Sequence, residues 1–432
     1  MTYPRVLHVG FEPIGTPTNS GLTLRSMFAD WPAEKLLQIC LRGHPRADGP
    51  GTLVIAPASV APIDGAARWI LGSHVPSGAV DGMNNSIDRE RSLPLNQRLR
   101  ILATTVNDIG PVRLPRSVVL AAESFRPQVI HSLLGGVRAM KLASGLSEKL
   151  GVPLVPHFMD DWADNLFAQG QLGGYARRVA ERELARVWTR APVCLTIGEQ
   201  MSAEFAQRFG LPCFVVGNSV DFDEFAALAG RQSVPVGAEL VMRYVGGLHL
   251  GRDMVIESVA KRLAGRQYEG RPWCLELHVP AVDSDIARRL SQQPNVRFGG
   301  SLTPSEVPQA LVSADALLFI ESAAPGVAKF TRLSVSTKVP QYLAARRPIM
   351  VIGPAEQASV GALLRAETGI YAGSAESGMV EQAITGIEST LAAAAPRRRE
   401  IEAWMNQAFA RLQTQERLRR AMVQAAGPGT HA

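Results

Sequence analysis

Several short segments of this chain carry residue types able to hold an anion or move a proton. The first, GFEPIGTPTNSG over 10–21, leads from small residues into a helix start with Asn19 or Ser20 as the cap. Such a start presents free backbone N–H groups and the positive end of a helix dipole. Its glycine spacing does not match GxGxxG, which disfavours a dinucleotide site, and ordinary turn glycines account for the loop equally well. VIHSLLGG over 129–136 and VPLVPHFMDDW over 152–162 end strand-like runs in His131, His157, Asp160 and Asp161. Ligands collect beyond the carboxyl ends of strands in open α/β sheets, so position favours function for these four. A hydrogen-bonded core histidine at 131 and a helix cap at 161 are the plain alternatives.

In the second half, YVGGLHLGRD over 244–253 again runs from strand through glycine turn to helix start, with Arg252 near the helix N-terminus. Gly246 and Gly247 permit close backbone approach, and Arg252 can neutralise a phosphate. SVSTKVPQYLAARRP over 334–348 places Ser334, Ser336, Thr337 and Lys338 at the start of another helix. Hydroxyls, backbone N–H groups and a lysine together suit a diphosphate. A solvated lysine with ordinary caps is the alternative, and two such clusters in one half weigh against it. With no HxH, no HExxH and no clustered cysteines, no metal site is assigned.

These segments need a scaffold, and the hydropathy pattern supplies one. Strand-like runs at 6–9, 36–39, 53–55, 129–131, 154–155 and 193–197 alternate with helical patterns at 20–30, 137–150 and 175–188. The alternation restarts with strands at 240–245, 275–278, 316–320 and 349–352 and helices at 253–263, 285–291, 305–313 and 338–345. Alternating strands and helices predict a parallel sheet covered on both faces, here twice. The polar segment 219–237 reads as a linker, and 72–94, rich in Gly, Asn, Ser and Pro, as a loop. In the tail over 399–423, Ile401, Trp404, Met405, Ala408, Leu412, Leu418 and Met422 fall near helical spacing.

Composition narrows the function classes. At roughly 100–200 residues per domain, 432 residues give two or three domains, and 46% apolar with 19% charged residues describes a folded chain. A net charge of +6 favours anionic partners but is thin for a dedicated nucleic-acid binder. Cys40, Cys194, Cys213 and Cys274 lack CxxC spacing and read as reduced core residues of a cytoplasmic protein. No run reaches the ~18 apolar residues of a spanning helix, and no signal-type apolar region follows Arg5.

Taken in order, these motifs resemble a known family. The glycine loop and VIHSLLGG are followed by LTIGEQMSAEFAQRFG (195–210), VVGNSVDFDEF (215–225) and YVGGLHLGRD. Then come VRFGGSLTPSEVPQALVSADALLFIES (296–322) and KVPQYLAARRPIMVIG (338–353). The chain resembles the GT-B glycosyltransferases of retaining family 4 type over about residues 5–390. The resemblance implies an α/β protein with two Rossmann-like domains facing across a cleft. An acceptor domain would span 1–218 and a donor domain 238–398, with a C-terminal helix at 399–425 crossing back to the first.

It further implies that Gly21 lies near the donor phosphates or the acceptor, and that Gly246, Gly247, Arg252, Ser336 and Lys338 hold the donor diphosphate. The turn at Gly299, Gly300 and Leu302 would lie against the nucleobase. The family's E-x7-E pair is replaced here by Leu333 and Gln341. Gln341 still offers a ribose a neutral acceptor, whereas Leu333 offers nothing. The family's HD pair stands as Met159-Asp160, with His157 two positions earlier. Asp160 or His157, with Asp161 beside them, would orient donor sugar or acceptor rather than act as nucleophile.

The implied activity is retaining transfer of a sugar from a nucleoside diphosphate to a glycan or lipid-linked acceptor, with no cofactor and no metal. The implied setting is cytoplasmic, with Arg397, Arg398 and Arg399 available to an anionic face of the inner membrane leaflet and no nucleic-acid partner. Leu333 and Gln341 motivate a second reading: a catalytically weakened protein of the same fold that binds nucleotide or glycan within a glycan-assembly complex.

Overall fold

The computed structural model describes residues 2–16, 19–41, 50–55, 57–60, 95–168, 171–231, 238–280, 282–392 and 398–427. The loop expected over 72–94 lies outside these residues, as does Arg397. The chain divides into two compact units, Met1–Gly217 with Thr414–Ala432, and Asn218–Gln413. No helix among the described residues is long and apolar enough to cross a membrane.

The first unit is built on a seven-stranded sheet of β1 (Val6–Gly10), β2 (Leu36–Cys40), β3 (Gly51–Val54), β4 (Val129–Ser132), β5 (Leu154–Phe158), β6 (Cys194–Thr196) and β7 (Cys213–Val215). Its strand order is β3-β2-β1-β4-β5-β6-β7, and every neighbouring pair is parallel. The order reverses between β1 and β4, which makes their carboxyl ends the switch point of the sheet. β1, β4 and β5 are buried along their whole length, as strands with both faces covered must be. The helix Val137–Leu150 stops at Gly151, whose φ of 68° is the left-handed cap a helix end favours.

The second unit repeats the plan with β8 (Leu240–Val245), β10 (Arg271–His278), β11 (Val296–Phe298), β12 (Ala316–Ile320), β13 (Ile349–Ile352) and β14 (Gly369–Gly373) in the order β11-β10-β8-β12-β13-β14. A short β9 (Gln267–Tyr268) pairs antiparallel with β10. Here the switch point falls at β8 and β12, and β8 is followed by the helix Arg252–Leu263. Its core joins Met242 and Tyr244 of β8, Leu275 and Leu277 of β10, and Leu318 and Ile320 of β12.

Two expectations are corrected. The stretch expected as a linker holds the helix Phe222–Arg231, started by Asp221, whose carboxylate accepts from the N–H groups of Asp223 (3.1 Å) and Glu224 (3.3 Å). The tail is two helices, Arg399–Phe409 and Arg411–Ala426, broken at the extended Ala410. At the break Val220 N donates to Phe409 O (2.9 Å) and Arg411 N to Val220 O (3.0 Å), so the helical ladder gives way to a strand-like bridge.

The first of the two helices belongs to the second unit, where it buries Ile401, Met405 and Phe409 and where Arg365 lies 4.3 Å over the Trp404 ring. Leu412 is 77% exposed, so it is not a packing position. Only from Thr414 does the chain rejoin the first unit, packing Leu418, Ala421, Met422 and Ala425 with Val6, Leu24 and Met27. Leu418→Ala or Met422→Ala removes a side chain that is fully buried, at a cost of about 2–5 kcal/mol in the first unit. Urea unfolding of each variant measures this, and a loss within error of zero would show that the returning helix does not stabilise the unit.

Candidate functional site

The chemistry of the second unit gathers where β8 ends. Gly246 has φ 140°, its N–H donates to His278 O (2.9 Å), and a Cβ there would collide with Lys338 Nζ. A Cβ on Gly247 would likewise run into the His249 ring. Both glycines are therefore required by close approach, as the spacing in the sequence suggested.

Lys338 opens the helix Lys338–Ala344. Its Nζ lies 4.6 Å from the Tyr244 ring centroid and donates to Tyr244 Oη at 3.5 Å, while that phenol donates to Gly247 O (2.7 Å). Tyr342 on the same helix accepts from Val245 N (3.3 Å) and donates to Leu318 O (3.4 Å), which fixes the helix to β8 and β12. The backbone N–H groups expected to be open at this helix start are used internally. Ser336 Oγ accepts from Lys338 N (3.4 Å), and Ser336 O accepts from Val339 N (3.0 Å).

Arg252 opens the helix after the glycine turn and pairs with Glu321 (3.4 Å), while its Nε is buried without a hydrogen-bond partner. Among the described residues no carboxylate forms an ion pair with Lys338. Burial of its ammonium, with Arg252 close by, pushes Lys338 down to about 7, against the pull of Glu321. Burial, Arg252 and Lys338 also lower His249. Two cations thus share one carboxylate, with the His249 imidazole close to both cations.

The structure brings Gly246, Gly247, Arg252 and Lys338 together, with Ser336 supporting the helix start. Gln341 stands on the same helix, partly buried, and Leu333 is fully buried. Gly300 is exposed at φ 77° beyond β11, next to Gly299, whose Cα packs against the His278 ring. Tyr244, His249 and Glu321 were not singled out from the sequence. Tyr244 and His249 lie inside the glycine motif, and Glu321 directly follows β12, so position at a strand's carboxyl end was the available signal.

In the first unit His8, His131 and His157 sit on the neighbouring strands β1, β4 and β5 with no exposure. Val216 O can only accept, so His157 Nε2 donates to it (2.8 Å) and leaves His157 Nδ1 to accept from His131 Nε2 (3.2 Å). His131 Nδ1 then accepts from His8 Nδ1 (2.8 Å), and the series ends at His8 Nε2, buried and unpartnered against Gly10. His131 is thus the core histidine of the plain alternative, and both ring nitrogens of His157 are engaged within the unit.

Asp160 lies partly buried in the bend after β5. Asp161 is buried at the N-cap position of the short helix Trp162–Asn165, yet its side chain does not cap it and instead lies 3.9 Å from Arg208. Gly21 is buried in the helix Asn19–Met27, and its carbonyl closes the glycine loop by accepting from Gly15 N (2.9 Å).

No protein-family model matches the chain, and no curated protein matches it by sequence. Solved structures do match. HepE from Anabaena, in complex with UDP, aligns at TM-score 0.59 and 16% identity over 97% of this chain and 99% of that one. A UDP-forming trehalose-phosphate synthase from Burkholderia xenovorans aligns at 0.63 and 10% identity over 98% and 100%. A glycosyltransferase from Rickettsia africae aligns at 0.59 and 8% identity over 99% and 100%. The chain has the GT-B fold, two Rossmann-like units, as the motif order implied.

The histidine series makes the first unit acid-sensitive. Burial lowers His8 to about 3 and His157 to about 4, and burial with the neighbouring imidazoles takes His131 well below its ordinary value. Unfolded imidazoles titrate near 6.5, so below that pH the unfolded state binds more protons than the folded one. Stability that is complete above about pH 6.5 should fall as pH drops toward 4, by up to about 4 kcal/mol per pH unit for three protons. Denaturant titrations at pH 7 and pH 5 check the slope, and a flat profile would mean the imidazoles are not neutral in the folded state.

Proposed function

We propose that this protein is a glycosyltransferase that moves a sugar from a nucleoside diphosphate sugar to a glycan or lipid-linked acceptor with retention of configuration. The observation that carries the reading is the Lys338 ammonium, packed on Tyr244 beside Arg252 at the carboxyl end of β8 with no carboxylate ion-paired to it among the described residues. The GT-B fold and the UDP complex of HepE support a nucleotide as the anion. As the sugar–oxygen bond breaks, the departing diphosphate gains negative charge. Lys338 and Arg252, already fixed in place, stabilise that charge without reorganising. A phosphate oxygen of the leaving group can take the acceptor's proton, so in this reading no separate base is required.

In this reading Gly246 and Gly247 admit the diphosphate, Ser336 sets the start of the Lys338 helix, and Gln341 faces the ribose side. Gly300 borders the nucleobase. Asp160 and Asp161 orient donor sugar or acceptor, Gly21 shapes the loop on the acceptor side, and His157 acts by positioning β5. The cationic side chains do the work a metal would do elsewhere, so turnover should persist in EDTA. The protein acts in the cytoplasm, with peripheral contact to the inner membrane face for a lipid-linked acceptor.

A second reading, a nucleotide-binding protein of weakened activity, is favoured by Leu333, which is fully buried where a sugar-contacting glutamate would stand. Release of nucleoside diphosphate from a panel of sugar nucleotides, with acceptor extracts present, separates the two. Turnover establishes the transferase, whereas tight nucleotide binding with no release establishes the binder.

Lys338→Ala or Arg252→Ala removes a charge-assisted contact of roughly 1.5–3 kcal/mol, which lowers nucleotide affinity about tenfold or more. Calorimetry on folded variants measures it, and unchanged affinity in both would displace the diphosphate from this site. Gln341→Glu should hold or strengthen donor binding, because a carboxylate accepts sugar hydroxyls more strongly than an amide. A large loss of affinity at unchanged melting temperature would place the ribose elsewhere.

A further inference from the structure

We propose that Cys194 and Cys213 are a redox modification site, closing to a reversible disulfide between the last two strands of the first sheet. The two residues are direct register partners on β6 and β7, and their sulfurs stand 2.8 Å apart. A disulfide has an S–S length of about 2.05 Å, so closure asks the two sulfurs to approach by about 0.8 Å. The remaining cysteines differ. Cys40 and Cys274 are buried in different units.

The pair is also asymmetric in the way a sensing thiol and a resolving thiol are. Cys194 is fully buried, whereas Cys213 is partly exposed. The two thiols share a hydrogen bond in which either sulfur can donate; Cys213, the less buried, ionises with the smaller loss of hydration and lies below its ordinary value, while that hydrogen bond and burial hold Cys194 up. Cys213 is therefore the thiolate that forms first and the sulfur an oxidant reaches. Burial raises Cys40 to about 12 and also raises Cys274, which leaves both inert.

With a small disulfide as oxidant, the chemistry balances in two displacements. The Cys213 thiolate attacks one sulfur of the small disulfide, forming a mixed disulfide and releasing one thiolate. Cys194 then loses its proton to that thiolate and attacks Cys213 Sγ, expelling the second thiolate. Two protein thiols are oxidised by two electrons, and one small disulfide is reduced to two thiols, the second thiolate taking from water the proton that Cys213 released on ionising. The bridge would fasten β7 to β6 just before Val216 and Gly217, the last residues of the first unit before the chain leaves it. Ser202 Oγ, donating to Cys213 O (3.1 Å), already anchors the intervening helix Glu199–Phe209 to the same point.

The test is oxidation of the full chain by oxidised glutathione, followed by thiol counting under denaturing conditions and peptide mapping. The four thiols should fall to two, the mass should drop by two hydrogens, and one cross-linked peptide should join 194 to 213. Cys194→Ser should instead retain one glutathionyl group on Cys213, and Cys213→Ser should leave Cys194 unmodified. Should either serine variant fail to fold, the wild-type map alone decides. Persistence of all four thiols, a wild-type adduct on Cys213 that never closes, or a bridge through Cys40 or Cys274 would overturn the proposal.

Discussion

The second unit is organised around the Lys338 ammonium, with which no carboxylate among the described residues forms an ion pair. A partly buried ammonium without a carboxylate is costly, and a neighbouring guanidinium adds to the cost. Lys338 is kept in place by other means. Its ammonium lies over the Tyr244 ring, a contact worth about 0.5–2 kcal/mol, and donates to the phenol oxygen. Tyr244 is in turn held by Gly247 O, and Tyr342 ties the lysine's helix to β8 and β12. Gly246 follows from the same requirement, because any side chain there would take the volume the ammonium occupies. The placement of one cation therefore accounts for the glycine at 246, two buried tyrosines and the placement of a helix start.

The first unit treats buried polarity in the opposite way. Its three strand histidines satisfy one another in a fixed direction, from His8 through His131 and His157 to Val216 O. Because the terminal acceptor is a carbonyl, the tautomer of every ring follows; protonating His131 or His157 breaks a donor–acceptor match, whereas His8 would take its proton on the unpartnered Nε2 at the cost of a buried charge. The series spans β1, β4 and β5, the strands on either side of the switch point, and so holds in register the strand ends that carry the Gly10 loop and the bend at Asp160.

How much of this the sequence carried depends on whether the signal was local. Strand runs such as 240–245 and 316–320 match β8 and β12 residue for residue, since a buried parallel strand is a short continuous apolar run. β7, β11 and β14 were missed because the first two are short edge strands only partly buried, without the continuous apolar run that marks β6, and the last starts and ends in glycine. Gly246, Gly247, Arg252 and Lys338 were legible because each glycine turn and helix start is written locally. The histidine series was not, since its members come from three separate segments, His8 being 123 residues from His131 and His131 26 from His157, that only sheet order makes adjacent. The Cys194–Cys213 pairing was hidden for the same reason, through a helical crossover. The tail read as one amphipathic helix because periodicity cannot register a single extended residue, and the bridge to Val220 that breaks it is a long-range contact.

The contrast between the units bears on where chemistry can occur. A group whose hydrogen bonds are all made inside the core has little left to offer a substrate, and His157, with both ring nitrogens engaged, is such a group. Its place at the end of β5 positions the chain that follows. The carboxylates that follow the strand are Asp160, partly buried in the bend, and Asp161, buried and 3.9 Å from Arg208. In the second unit the polar groups at β8 are arranged the other way, with hydrogen bonds spent on fixing Tyr244 and Tyr342 while Arg252 Nε is left unpartnered and Lys338 bonds only a neutral phenol. Differences in local satisfaction, rather than in residue type, thus separate the basic residues at the end of β8 from the histidines that hold the first sheet together.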